Sequence, residues 1–411
     1  MLKRLKVSGF KSIEGIEVRF PQMTVLFGPN AAGKSNLLDA IQALSRVGTE
    51  RTISDALSEP IRGYPIEAFA FPSGGLSALL ATPRASFGLE ADLDTGEGTY
   101  RYKVEVSIRP DSGSLSVTDE YLATLSAKGK PKRSPRIEKV EDKLIIRGRS
   151  RPGHPREEPL GRNHTVLSDP RLGGKEYRHI ERCRNDLAGW RVYYLDPRVA
   201  MRSPKPPAEV SDIGVLGENI APFLYRLRAE EPSHFAAIKR TLPTLIPSVD
   251  DLDVSMDKSR GTLDVLIRQS GTEFSSRIIS EGTLRVLALC CIAANPWGGS
   301  SIAFEEPENG VHPRRLELIA DLLISIATRL KKQVIVTSHS PLFCEAMVKR
   351  SGRYRKNIAL LNVRQGPSGT EVQAFDIDSP LLFDSEIRAA LSDKSENGVF
   401  EGLMMRGLLD D

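Results

Sequence analysis

An α/β fold built around a phosphate-binding loop, with an inserted antiparallel β unit and helical segments, is predicted by three features of the 411-residue sequence. The first is Gly28-Pro29-Asn30-Ala31-Ala32-Gly33-Lys34-Ser35, a glycine-rich turn. It lies between the apolar run Met23 to Phe27 and a stretch from Asn36 to Leu44 with helical spacing of apolar residues. The second is a pair of buried strands far downstream: Ser301 to Phe304 runs into Glu305-Glu306-Pro307-Glu308, and Gln333 to Thr337 runs into Ser338-His339. The third is a change of period between Ala85 and about Gly148, where apolar and polar residues alternate as in half-buried strands.

Residues 2 to 8, 14 to 20 and 23 to 27 read as short strands, with Leu5, Val7, Ile16, Val18 and Phe20 alternating with charged partners. A helix is expected over 34 to 46, then a Gly/Pro-punctuated segment from 48 to 83 holding short helical pieces. Strands are expected over Ser86 to Leu93, Tyr100 to Ile108, Leu115 to Leu125 and Leu144 to Arg147, with turns at Asp94-Thr95-Gly96 and Asp111-Ser112-Gly113. Beyond them the spacing predicts a helix from Gly174 to Ala188 and a strand from Arg191 to Leu195. Helices over Leu216 to Arg228 and Pro232 to Leu242 follow, and strand alternation resumes around Gly261. A strand pair, Ile358 to Val363 and Thr370 to Phe375, precedes a helical tail. The expected division is 1–83 for the first part of a nucleotide-binding head and 84–250 for an inserted lobe. Residues 251–375 complete the head, and 376–411 form the tail.

A composition of 40% hydrophobic and 27% charged residues suits a soluble globular protein, and no apolar run suggests a membrane span. The N-terminus Met1-Leu2-Lys3-Arg4-Leu5-Lys6 lacks the apolar centre of a signal peptide, so a cytoplasmic address is expected. Cys183, Cys290, Cys291 and Cys344 show neither metal-ligand nor disulfide spacing and are read as reduced, the adjacent pair as core. Net charge is only +4, but Lys128 to Arg156 holds eleven Lys and Arg against three acidic residues, so the rest of the chain is net negative. The cluster around Lys130, Lys132, Arg133 and Arg136 fits two readings, a solvated loop and a surface that tracks nucleic-acid phosphates.

The motifs carry specific chemistry. Gly28 and Gly33 let the backbone curl so that successive N–H groups and a helix N-terminus face anionic oxygens. Lys34 would reach β- and γ-phosphates, and the Ser35 hydroxyl would reach Mg²⁺. Glu305 stands where a carboxylate would hold that metal, and Glu306 could orient or deprotonate an attacking water. His339 ends a strand on the same edge, where ligands of open α/β sheets gather, and could contact a γ-phosphate oxygen or the water. Ser280-Glu281-Gly282 opens an apolar helix: Ser280 is a suitable N-cap, and the helix amides with Gly282 form an anion site.

Together with Gly9-Phe10-Lys11-Ser12 and with Asn36 after the loop, this set resembles the ABC-type ATPase heads of the RecF, SMC and OLD group, which have a P-loop nucleotide-hydrolase fold. The resemblance is strong over residues 1 to 46 and 275 to 348, and looser around Gly217-Glu218-Asn219. It implies ATP and Mg²⁺ as cofactors and a head-to-tail homodimer holding two ATP molecules. In that arrangement Ser280, Glu281 and Gly282 of one copy cap the γ-phosphate held by the other. Three features depart from the group: Glu305 stands where an aspartate is usual, the signature reads Ser-Glu-Gly, and no glutamine occurs between Gln42 and Gln269 to match the glutamine loop.

Heptads are absent between residues 45 and 280, which argues against long coiled-coil arms. Asp376-Ile377-Asp378 resembles the paired aspartates of a Toprim nuclease, but too little chain follows for that domain. The expected function is an ATP-driven dimerisation switch associated with DNA, in repair or anti-phage defence, working with a separate effector such as a nuclease. The alternative is an ATP-gated protein-assembly sensor that does not touch DNA. A membrane transporter subunit is disfavoured by the long inserted β unit.

Overall fold

The structure, a computed structural model, describes residues 1–132, 134–149, 154–367 and 369–375. The first strands are β1 (Leu2–Phe10), β2 (Ile13–Arg19) and β3 (Met23–Phe27), followed by α1 (Lys34–Val47). The segment after α1 carries α2 (Ile53–Ala56), a 3-10 turn at Pro65–Ala68 and α3 (Gly75–Leu80). The alternating region forms β4 (Ala85–Asp94), β5 (Thr99–Arg109), β6 (Ser114–Thr124), β7 (Ile137–Val140), β8 (Lys143–Ile146) and β9 (Arg156–Pro159). After it come α4 (Arg178–Ala188), β10 (Trp190–Tyr193), α5 (Ile220–Glu230) and α6 (Pro232–Leu245). The remainder comprises β11 (Val249–Asp257), β12 (Thr262–Gln269), β13 (Thr272–Ser275), α7 (Glu281–Ala294), β14 (Ser301–Glu305) and α8 (Leu316–Thr328). It ends with β15 (Gln333–Ser338), α9 (Pro341–Ser351), β16 (Ile358–Gly366) and β17 (Gly369–Phe375).

The described chain divides into two compact units. One holds Met1–Pro21, Gly28–Trp190 and Leu361–Phe375. Its core is an antiparallel sheet in which β2, β1, β4, β5, β6, β7, β8 and β9 are successive neighbours. Register explains why it is stable: Leu5, Ala91, Tyr102, Leu122, Ile137 and Ile146 pair in one row across it, and each is fully buried. The row one residue over faces the other way and is charged. There Arg4 pairs with Asp92 and Asp92 with Arg101, and Asp92 accepts hydrogen bonds from both guanidinium groups. The carboxyl of Glu120, fully buried on β6, accepts from the backbone N–H groups of Val166 (2.6 Å) and Leu167 (2.9 Å) and from the Tyr102 hydroxyl.

The other unit holds Gln22–Phe27 and Arg191–Leu360. In it β14, β15 and β3 pair in parallel, with nearly every residue buried, as parallel strands covered on both faces require. The antiparallel strands β11, β12 and β13 pack with α5 and α6. All four cysteines are free and buried. Among the described residues no helix is long and apolar enough to cross a membrane.

Several elements differ from expectation. The helix expected from Gly174 starts at Arg178, because Gly174 takes φ +67°, a left-handed turn that a continuing helix cannot contain. The strand expected over Arg191 to Leu195 is Trp190–Tyr193, and the helix expected from Leu216 begins at Ile220. Short β7 and β9 were not anticipated; β7 pairs with β8 and β6, and β9 ends the sheet with Pro159 in the edge strand. The expected tail, 376–411, lies outside the described residues.

Candidate functional site

The phosphate loop leaves β3 at Phe27 and enters α1 at Lys34. Gly28 takes φ +147°, and a Cβ there would lie 2.0 Å from the Val363 carbonyl oxygen, so only glycine fits. Ala31 is also left-handed, at φ +66°, which turns successive N–H groups inward as an anion-binding nest does. The first turn of α1 has no acidic residue and no side-chain cap. Its N–H groups are therefore suited to an anion. Lys34 is 95% buried, and its ammonium donates to the carbonyls of Gly28 (2.8 Å) and Pro29 (2.7 Å). A cation is thereby fixed inside the loop, and the loop suits a phosphate chain. Asn36 donates to the Ser12 hydroxyl at 2.7 Å, and that hydroxyl meets the hydroxyl of Thr370, also at 2.7 Å.

Beside Asn36 lies a cavity of about 650 Å³ whose lining includes Lys11, Ser12, Arg62, Phe69 and Phe71. Lys11 (2.5 Å) and Arg62 (3.0 Å) both bind Asp39, a fully buried carboxylate of α1. In sequence Lys11 carries no role of its own beyond Gly9-Phe10-Lys11-Ser12, and Arg62 belongs to no motif. The signal was Asp39, an acid on the buried face of a helix, which requires a partner.

In the other unit, Glu305 pairs in register with Thr337, and Ser338 with Phe27, so β14, β15 and β3 end along one edge. Glu306 follows with φ +48°, uncommon for a residue with a Cβ, and its N–H bonds to the Thr337 carbonyl at 3.1 Å. The bend aims the Glu306 carboxylate at His339, whose Nδ1 lies 2.7 Å from Oε1. A carboxylate accepts, so Nδ1 carries the proton. Glu308 turns inward and accepts from the Ser338 hydroxyl, while its other oxygen is buried with no partner among the described residues. Burial pushes Glu308 up to about 7, against the pull of Ser338. In sequence Glu308 stands out only as part of Glu305-Glu306-Pro307-Glu308.

Ser280 caps α7, accepting from the Thr283 N–H at 3.2 Å, and Glu281 is paired with Arg198 at 2.9 Å. A Cβ on Gly282 would lie 2.1 Å from the Gly310 carbonyl oxygen, so the start of α7 touches the backbone of the turn that follows Glu308. Ser35 and Glu305 each carry an oxygen donor of the hard type that Mg²⁺ takes.

Three of the eleven basic residues of the connection are paired with acids. Arg147 pairs with Glu138, Lys143 with Glu157 and Arg156 with Glu158. Lys130 and Lys132 are exposed, Arg136 is half-buried, and Arg133 and Arg151 lie outside the described residues.

The glycine loop with its buried lysine, the acidic strand end and the capped serine signature fit an ABC/RecF/SMC-like head. Over residues 23–345 the chain matches, and belongs to, the family described as AAA domain, putative AbiEii toxin, Type IV TA system. It is 42% identical over 55 residues to the DNA replication and repair protein RecF of Ligilactobacillus salivarius (strain UCC118). That stretch is 13% of this chain and 14% of that protein. Among solved structures it resembles the Pyrococcus furiosus Smc head domain with an extended coiled coil, bound to the C-terminal domain of ScpA. The TM-score is 0.51 at 13% identity, covering 94% of this chain and 99% of that one, a likeness of fold. The SMC head domain from Thermotoga maritima matches with TM-score 0.42 at 15% identity, covering 91% and 99%.

Proposed function

We propose that this chain binds ATP with Mg²⁺, hydrolyses it, and uses the cycle as a dimerisation switch associated with DNA, in repair or anti-phage defence, with a separate effector such as a nuclease. The head comprises 1–83 and 251–375, with 84–250 inserted. The observation that carries the reading is the Glu306–His339 hydrogen bond, formed by a left-handed residue at the end of the acidic strand. Backbone strain of this kind concentrates at functional positions.

Residues Gly28 to Ser35 with Asn36 hold the nucleotide, and Lys34 shifts from the loop carbonyls to the β- and γ-phosphates. Ser35 and Glu305 would hold Mg²⁺, which would draw charge from the phosphate oxygens. Glu306 takes the proton of the attacking water as that water bonds to the γ-phosphorus and the bridging oxygen leaves with ADP. His339 orients Glu306 through Nδ1, and its Nε2 remains for the nucleotide. Ser280, Glu281 and Gly282 act on the nucleotide of a second copy. The RecF stretch and the exposed Lys130 and Lys132 support the DNA association.

The acid pairing of Arg147, Lys143 and Arg156 favours the second reading, a protein-assembly sensor, because it lowers the charge left for a DNA backbone. Phosphate release from ATP by the wild type and by Lys34→Ala tests the enzyme reading. The variant is expected to bind ATP weakly and release no phosphate above background; wild-type turnover by it would remove the loop from the site.

A further inference from the structure

Asp264 holds the start of the segment entering the signature, accepting from the Ser275 and Ser276 hydroxyls, and the stretch up to Ser280 is held by Arg202, which no motif of the sequence marks. Asp196 arrests the chain after β10: its carboxylate accepts from the N–H groups of Arg198 (3.0 Å), Val199 (3.2 Å) and Ala200 (3.2 Å). Its carbonyl accepts from Met201 at 3.0 Å, and Met201 is buried. The 3-10 turn Ala200–Arg202 is thus anchored, and Arg202 projects from its end. Nε donates to the Pro197 carbonyl at 2.7 Å, which sets the plane of the guanidinium. Nη1 donates to the carbonyls of Ser276 (3.3 Å) and Arg277, and Nη2 to that of Ile279 at 2.6 Å.

Those carbonyls belong to the residues just before Ser280. The segment has little packing of its own at its middle, where Ile278 is 70% exposed. A guanidinium is suited to the task because its donors form a rigid planar fork, so one group fixes several carbonyls at once. Arg198, whose N–H Asp196 holds just before that turn, pairs with Glu281. The stretch from Arg198 to Arg202 therefore contacts the chain on both sides of Ser280.

We infer that Arg202 is the positioning residue of the signature: it presets Ser280 to Gly282 for the ATP held by a second copy, and so governs closure of the dimer and not capture of nucleotide by the single chain. The inference rests on the proposed ATP-driven dimer. Preorganised donors lower the cost of ordering a loop at the moment of binding, so losing Arg202 falls on the closing step.

The test uses the full chain in a Glu306→Gln background. Arg202→Ala is expected to bind a fluorescent ATP analogue within about twofold of its parent, while its ATP-dependent dimer, followed by sedimentation, weakens about tenfold or more. With Glu306 intact, kcat falls while KM for ATP holds within about twofold. Guanidinium chloride at about 10 mM is expected to restore part of the dimer to Arg202→Ala and to leave the parent unchanged, since it refills a fork-shaped site. Arg202→Lys keeps the charge without the fork and is expected to weaken the dimer several-fold; it decides the matter if Arg202→Ala does not fold. Undiminished dimerisation by the variant that folds overturns the inference alone. No ATP-dependent dimer in the parent overturns the dimer reading and the inference with it.

Discussion

His339 Nδ1 stands 2.7 Å from Glu306 Oε1, joining the end of one parallel strand to the end of its neighbour. The pair sets the direction of the Glu306 carboxylate, and it depends on Glu306 holding φ +48°. Glu306→Gln keeps the shape and loses the base. ATP binding should persist while phosphate release falls by about 10²- to 10⁴-fold, with dimers accumulating on size exclusion in ATP. His339→Ala should lower kcat less, because it removes the orienting bond and leaves the carboxylate. Rapid hydrolysis by Glu306→Gln would assign the base to another residue.

Ser280 occupies the N-cap of α7, so a bulky cation there should disturb both the cap and the approach of a second copy. Ser280→Arg is expected to bind nucleotide as a monomer and to lose ATP-dependent dimerisation. Loss of the cap itself costs about 1 kcal/mol, too little to unfold a helix buried as deeply as α7. Mixed with Lys34→Ala, it should regain at most one composite site per dimer, read as an ATP-dependent dimer that neither variant forms alone. Normal dimerisation by Ser280→Arg would rule out the head-to-tail arrangement.

Glu120 makes stability depend on pH. Burial raises its pKa from an ordinary 4.5 to about 7, although Val166, Leu167 and Tyr102 all donate to it and pull it down. The folded chain then binds the proton more tightly than the unfolded one. This contribution is fully present below about 4.5 and is lost as pH rises through about 7, in total about 3 kcal/mol. Glu120→Gln should flatten that part of the curve of melting temperature against pH. It should also cost about 1–3 kcal/mol, because an amide NH₂ would confront a backbone donor. An unchanged pH dependence would show that another group titrates.

Replacing Lys130, Lys132, Arg133 and Arg136 with Ala separates the two readings of the basic connection. If each contacts a DNA phosphate, the slope of log affinity against log salt should flatten by about 0.9 per contact, while basal ATP hydrolysis is kept. A salt titration of duplex DNA binding, with and without a non-hydrolysable ATP analogue, gives the slope. An unchanged slope and affinity would favour the protein-assembly sensor.

The sequence by itself determined the elements whose information is local. The phosphate loop, the cap at Ser280 and the polar ends of β14 and β15 each lie within a few neighbouring residues, where backbone preference and apolar period suffice to place them. The strands from β4 to β6 were legible for the same reason, within a residue or two. What only the tertiary structure decided are pairings between distant positions. β7 and β9 are short and weakly patterned, and exist through the strands beside them. Asp39 finds Lys11 and Arg62, Glu308 finds Ser338 thirty residues on, and Arg202 reaches carbonyls more than seventy residues downstream. A charged side chain in a sequence shows that a partner is required once it is buried; which partner it meets is set by the packing of the folded chain.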